Sequence, residues 1–227
     1  MADGLAVAML GGYGQIGRAP ARCLLRDGAR SVAIAGHSAA RADEAVQDIP
    51  TEVRAGAVRG QAADAGDEAA VAALLNDHDV LIHVAPLPTA VADALRPALL
   101  QTGGRAVLIS HDPGAVAMLR HAAPALQQAG ARVIADAGAD PSLQGVAGEL
   151  AACVHGAAEV IEISARYRAP QIGRIGLEDI LDSAAAGGWR YAGGWRTPAR
   201  GKCGGSPGRA VWAGHGPFRC TCPNWTR

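Results

Sequence analysis

From Leu5 to Ala135 the chain alternates short apolar runs with longer stretches of helical patterning. The apolar runs predict strands over Leu5 to Leu10, Ser31 to Ala35, Val58 to Ala62, Val80 to Val84, Ala106 to Ser110 and Arg132 to Ala135. Between them, helices are expected over Gln15 to Asp27, Ala39 to Ile49, Asp67 to Leu75, Ala90 to Gln101 and Gly114 to Ala129. Strands that alternate with helices in this way build an α/β fold, a doubly wound parallel sheet covered on both faces. A ligand in such a sheet sits where the strand order reverses, outside the carboxyl ends of the first and fourth strands. Here those ends carry Gly12 to Gly17 and Ala85-Pro86-Leu87-Pro88.

Beyond residue 140 the pattern changes. Asp140 can cap, and Pro141 can open, a helix running to about Val154. Glu159 to Arg168 then alternates apolar and polar residues (Val160, Ile161, Ile163, Ala165, Tyr167), as a half-exposed strand of an antiparallel layer does. A helix over Leu177 to Ala185 and a short strand-like run from Trp189 to Trp195 follow. The expected organisation is a first domain over 1–140, the start of a smaller α+β domain over 141–197, and an irregular tail over 198–227.

The first strand feeds directly into Gly12-Tyr13-Gly14-Gln15-Ile16-Gly17, a G-x-G-x-x-G run opening a helix. Gly12 is expected to make the tight turn, Gly14 to let backbone approach a pyrophosphate, and Gly17 to let the helix pack close to the sheet. The free N–H groups and positive dipole end of that helix then face the phosphates.

Composition narrows the remaining classes. With 49% apolar residues and zero formal net charge, the 227-residue chain reads as a soluble globular protein with neither a nucleic-acid nor a membrane partner. No apolar run is long enough for a bilayer span and no basic leader precedes the first strand, so a cytoplasmic location is expected. Five scattered cysteines suggest no disulfide framework. All 21 acidic residues lie upstream of Pro198, while the tail holds the only lysine, Lys202, and three of the five cysteines. That break is what an irregular tail, or translation in a shifted reading frame, produces. Cys203, His215, Cys220 and Cys222 number enough for zinc, but C-x-C is tighter than the usual ligand spacing and no metal is expected.

The stretches Leu10-Gly11-Gly12-Tyr13-Gly14-Gln15-Ile16-Gly17, Ala35-Gly36-His37-Ser38, Asp79 to Pro86 and Gly138-Ala139-Asp140-Pro141-Ser142-Leu143, in that order, resemble the saccharopine dehydrogenase family. The resemblance runs from about Val7 to Trp195. It implies a Rossmann domain that binds NADP, a second domain, and hydride transfer to or from a small amino-acid-like or carbonyl substrate. Three features depart from the family pattern: Pro20 inside the first helix, His37 where the family usually has an arginine reaching the 2′-phosphate, and the tail in place of the rest of the second domain.

A site for NAD shows a carboxylate about 20 residues past the glycines, which bonds the ribose 2′-hydroxyl. Here the stretch reads Gly36-His37-Ser38-Ala39-Ala40-Arg41. With no carboxylate to repel a phosphate, and with Ser38 and Arg41 able to bond one, NADP is favoured over NAD; the plainer readings are Arg41 as a solvated helix residue and His37 as a cap of the strand end. Asp64, ending the third strand, stands either to meet the adenine amino group or to cap a helix at the surface. The expected cofactor-lining set is thus Gly12, Tyr13, Gly14, Gln15, Ile16, Gly17, His37, Ser38, Arg41, Asp64, Ala85 and Pro86.

Short-chain dehydrogenase chemistry is excluded, because no tyrosine stands four residues before the only lysine. Candidate proton donors at the strand ends are His83, His111 and Asp112. Each has a plainer role: His83 as a core histidine, His111-Asp112-Pro113 as a turn. A non-catalytic dinucleotide-binding protein, sensor or remnant, is the alternative to an oxidoreductase. The apolar side of Glu159 to Arg168 has few partner strands, so self-association is expected, as a homodimer through this segment or as a tendency to aggregate.

Overall fold

The computed structural model describes residues 4–53, 57–109, 112–138, 143–155, 190–191 and 195–196. The chain divides into two units, Met1–Leu143 and Gln144–Arg227.

The first unit holds strands β1 (Ala6–Leu10), β2 (Ser31–Gly36), β3 (Ala57–Ala62), β4 (Val80–His83), β5 (Arg105–Leu108) and β6 (Arg132–Ile134). They form one six-stranded sheet in the order β3-β2-β1-β4-β5-β6. Every pairing is parallel, and the register sets Leu10 beside Ala35 on one side and His83 on the other. The order reverses between β1 and β4, as the alternating pattern requires of a doubly wound sheet.

Helices α1 (Gln15–Arg26), α2 (Ala39–Gln47), α3 (Glu68–Asp77), α4 (Thr89–Thr102), α5 (Pro113–His121) and α6 (Ala123–Gln128) supply the crossovers, with one 3-10 turn at Thr51–Val53. Two cores result. Val7 and Met9 of β1 pack with Leu25, Val32, Ile34 and Ile49, residues of α1, β2 and the segment after α2. Ala8 and Leu10 pack with Leu74, Leu81, Leu95, Leu99 and Leu108, on the α3 and α4 side. Successive side chains of a strand point to opposite faces. Because both faces of β1 are covered, all five of its residues are buried and it reads as an unbroken apolar run. Each fully buried leucine in these cores contributes roughly 1.5–3 kcal/mol relative to leaving it in water.

One local expectation needs correction. A single helix over Gly114 to Ala129 is instead α5 followed by α6, with Ala122 ending one and starting the other. Pro124 is the cause: it has no N–H for the ladder, and its ring meets the carbonyl four residues back. Conversely, Pro20 leaves α1 continuous from Gln15 to Arg26. Its position near the helix start forfeits only the bond to the Ile16 carbonyl, and Ala21 and Leu25 remain fully buried against β2.

In the second unit, α7 (Gln144–His155) carries exposed Val146, Leu150 and Val154. Of the strand-like run expected from Trp189 to Trp195, the described residues form β7 (Arg190–Tyr191) and, with Arg196, β8 (Trp195–Arg196), paired antiparallel. The expected strand at 159–168, the helix at 177–185 and the tail from Pro198 lie outside the described residues. Among the described residues, no helix is long and apolar enough to cross a membrane, and no cluster of His, Cys, Asp or Glu could hold a metal ion.

Candidate functional site

The loop between β1 and α1 lies at the carboxyl edge of the sheet, wedged between the ends of β2 and β4. The Gly11 N–H donates to the Ala35 carbonyl at 2.8 Å, and the Gly12 N–H donates to Met9 O at 3.1 Å. On the other side the Ala85 N–H donates to Leu10 O at 3.1 Å. The residue that turns the chain is Gly11, at φ 84°, not Gly12. A Cβ on Gly11 would also meet the Ala85 nitrogen at 2.5 Å, so glycine is required there twice over. Spacing points to the first glycine of G-x-G-x-x-G. Only the backbone shows that the glycine before it takes the left-handed conformation.

Gly12, Gly14 and Gly17 divide the remaining work. At Gly12 a Cβ would stand 2.8 Å from Met9 O and 3.2 Å from Ile34 Cγ2, so this residue is packed down onto the sheet. Gly17 is pressed against Gly12 itself. At Gly14 the only neighbour a Cβ would meet among the described residues is Gly11 O at 3.3 Å, which leaves the space above it open to an approaching group. Gly14 also caps α1 with no side chain, and no acidic residue occupies the first turn. By contrast α2, α3 and α5 are capped by the side chains of Ser38, Asp67 and Asp112. The start of α1 thus presents backbone donors and the positive end of a helix dipole to an anion over Gly14, the arrangement that suits a pyrophosphate.

Arg18 steadies this loop from within α1. Its Nε donates to the Tyr13 carbonyl at 3.2 Å while its guanidinium pairs with Asp48 at the end of α2. Arg18 was not among the residues that the motif singles out, because its partner in sequence is 30 positions away.

At the end of β2 a second cluster gathers around Tyr13. The Tyr13 hydroxyl lies 2.8 Å from His37 Nδ1, and the guanidinium carbon of Arg41 stands 4.6 Å from the Tyr13 ring centroid, within cation–π range. His37 and Arg41 are exposed. The Ser38 hydroxyl accepts from the Arg41 N–H at 3.4 Å and caps α2. No carboxylate stands in the stretch from Gly36 to Arg41. The adenosine end of a dinucleotide running from Gly14 toward β2 would meet donors and a cation here, which is the chemistry a 2′-phosphate needs.

The other expected residues divide. Ala85 packs on Gly11 at the β4 end and Pro86 beside it is exposed, while Leu87 is buried. Ile16 is 62% exposed on the first turn of α1. Asp64 Oδ1 accepts from the Gly66 N–H at 2.9 Å, a local turn bond ahead of α3.

Of the proton-donor candidates, Asp112 Oδ1 accepts from the Ala115 N–H at 2.7 Å and caps α5, with Pro113 in the first turn. His111 lies outside the described residues. His83 is fully buried, and among the described residues neither ring nitrogen has a hydrogen-bond partner. Alternation along β4 sets it with Leu81, on the α3 and α4 side. Burial pushes its pKa down to about 4, and the nearby Ala85 backbone pulls the other way without forming a well-aligned bond. His83 is therefore a neutral core imidazole at ordinary pH, unlike the satisfied core histidine expected of that position.

The sequence pattern of the saccharopine dehydrogenase NADP binding domain matches residues 7–130. No curated protein matches the chain. Among solved structures, apo saccharopine dehydrogenase (L-Glu forming) from Saccharomyces cerevisiae is 23% identical, with 67% of this chain and 32% of that chain covered and a TM-score of 0.53. At that identity the likeness is one of fold, and the chain spans about a third of the length of the yeast enzyme. A short-chain dehydrogenase from Mycobacterium smegmatis is 20% identical, covering 59% of this chain and 75% of that one, at a TM-score of 0.47 too low to carry an argument.

Proposed function

Because the chain belongs to the saccharopine dehydrogenase family through its NADP binding domain, we propose that it is an NADP-dependent oxidoreductase moving a hydride to or from a small amino-acid-like or carbonyl substrate. The observation that carries this reading is the pairing of an open, uncapped glycine loop at Gly14 with a β2 end that offers His37, Ser38 and Arg41 and no carboxylate.

NADP supplies or accepts the hydride when bound. The chain's own residues bind and orient it. The N–H groups at the start of α1 and the open backbone at Gly14 receive the pyrophosphate. Arg41 and the His37 imidazole receive the 2′-phosphate, with the Ser38 hydroxyl, already an acceptor for the α2 cap, free to donate. Gly11 and Ala85, in contact at the reversal of strand order, set the floor of the crevice at the β1 and β4 ends.

A second reading, dinucleotide binding without turnover, is favoured by the state of the proton-donor candidates: His83 is a buried neutral imidazole, and Asp112 is engaged as a helix cap. One experiment separates the two. Calorimetric titration with NADPH should show saturable binding under both readings, while incubation with pairs of 2-oxo acid and amine, followed at the reduced-cofactor absorbance, should show oxidation only under the first. Failure to bind NADPH at all overturns both.

A further inference from the structure

Tyr13 belongs to the glycine loop, yet its side chain serves the neighbouring strand. The ring is 8% exposed and lies over Gly36, where a Cβ would stand 2.8 Å from Tyr13 Cζ. Its hydroxyl is 2.8 Å from His37 Nδ1, and the two rings meet edge to face, 5.8 Å apart at 75°. The Arg41 guanidinium sits 4.6 Å from the ring centroid. One buried side chain thus touches both of the exposed groups at the end of β2.

Resting on the NADP reading above, we propose that Tyr13 is a positioning residue for cofactor specificity, holding His37 and Arg41 in the arrangement that receives the 2′-phosphate. Exposed long side chains lose rotamer freedom when they clasp a ligand, and that loss weakens binding. A ring already beneath Arg41 limits the freedom left to lose. With the Tyr13 hydroxyl donating to Nδ1, a neutral His37 carries its proton on Nε2 and presents an N–H donor outward. Because Tyr13 sits between Gly12 and Gly14, the loop that meets the pyrophosphate also sets the reader of the ribose. Gly36 belongs to the same device, since any side chain there displaces the ring.

The test uses adenosine 2′,5′-bisphosphate and 5′-AMP, which differ only in the 2′-phosphate, titrated calorimetrically into the wild type, Tyr13→Phe, His37→Ala and the double variant. Tyr13→Phe keeps the ring over Gly36 and under Arg41 and removes only the hydroxyl. It should weaken the bisphosphate about fivefold, the worth of one hydrogen bond, and leave 5′-AMP unchanged. The double variant should be no weaker than His37→Ala alone, because both remove the same interaction. Equal losses for the two ligands, no loss for the bisphosphate, or additive losses in the double variant would each overturn the assignment. A wild type that binds the two ligands equally would instead overturn the NADP reading of the site. A Tyr13→Leu variant, which also strips the platform from Arg41, should lose more bisphosphate affinity than Tyr13→Phe; should it fail to fold, the Tyr13→Phe cycle decides alone.

Discussion

Gly17 rests directly on Gly12: a Cβ at Gly17 would stand 2.5 Å from the Gly12 Cα and 2.7 Å from its carbonyl carbon. This contact fixes how near α1 comes to the loop that precedes it. Backbone, not a flexible side chain, lies in the way, so an added methyl must move the helix. We expect Gly17→Ala to destabilise the fold by about 1–3 kcal/mol, the cost of overpacking a tight site. Urea denaturation with an unchanged midpoint would show that α1 can shift freely.

Gly14 should behave in the opposite way. Its φ of −69° suits any residue, and among the described residues a Cβ there meets nothing tighter than Gly11 O at 3.3 Å. Gly14→Val should therefore melt close to the wild type, apart from up to ~1 kcal/mol for a poorer helix cap. Dinucleotide binding should be abolished, because the side chain fills the space over the start of α1. Undiminished binding by calorimetry would remove the pyrophosphate from this loop.

Arg41 is exposed; its guanidinium stacks on the Tyr13 ring, and its backbone N–H, not its side chain, bonds the Ser38 hydroxyl. Arg41→Ala should leave stability nearly unaltered. It should weaken NADP by about tenfold, the low end for a charge-assisted bond at a solvated site, and NAD by much less. Parallel losses for both cofactors would make Arg41 an ordinary surface residue.

His83 predicts a pH dependence of stability. Its pKa of about 4 in the fold lies below the ordinary histidine value of about 6.5, so the unfolded chain takes up the proton first as pH falls. Stability from this group is complete above about pH 6.5 and is lost progressively as pH drops toward 4, by ~3 kcal/mol in all. His83→Leu removes the titration and two unpaired nitrogens, so it should match or exceed the wild type at pH 7. Unfolding midpoints of the two proteins at pH 7 and pH 4 provide the check. A gap that stays constant between those values means that His83 gains a proton partner in the fold.

The order of strands and helices was legible from the residues alone, because a strand buried on both faces must be apolar throughout and a crossover helix must follow it. β1 shows this most clearly: its five apolar residues run straight into the glycines. The place of the glycine loop between β1 and α1 follows from the same local signals, as does the lack of a carboxylate from Gly36 to Arg41. The break between α5 and α6 was also written locally, in Pro124, although helical patterning on both sides masks it.

What only the tertiary structure decided are relations between residues far apart in the chain. Tyr13 and His37 are 24 residues apart and meet because β2 lies next to β1 in parallel register. The turn falls to Gly11 because β4 also flanks β1 and brings Ala85 against it, a neighbour that no glycine spacing announces. His83 ends an apolar strand in the sequence, but only the fold buries it completely and leaves its ring nitrogens without a partner among the described residues. Patterning depends on which side of an element is apolar and acts within a few residues. A hydrogen bond, a close approach or a desolvated ring depends on which element comes to face it, and that is set only when the sheet is assembled.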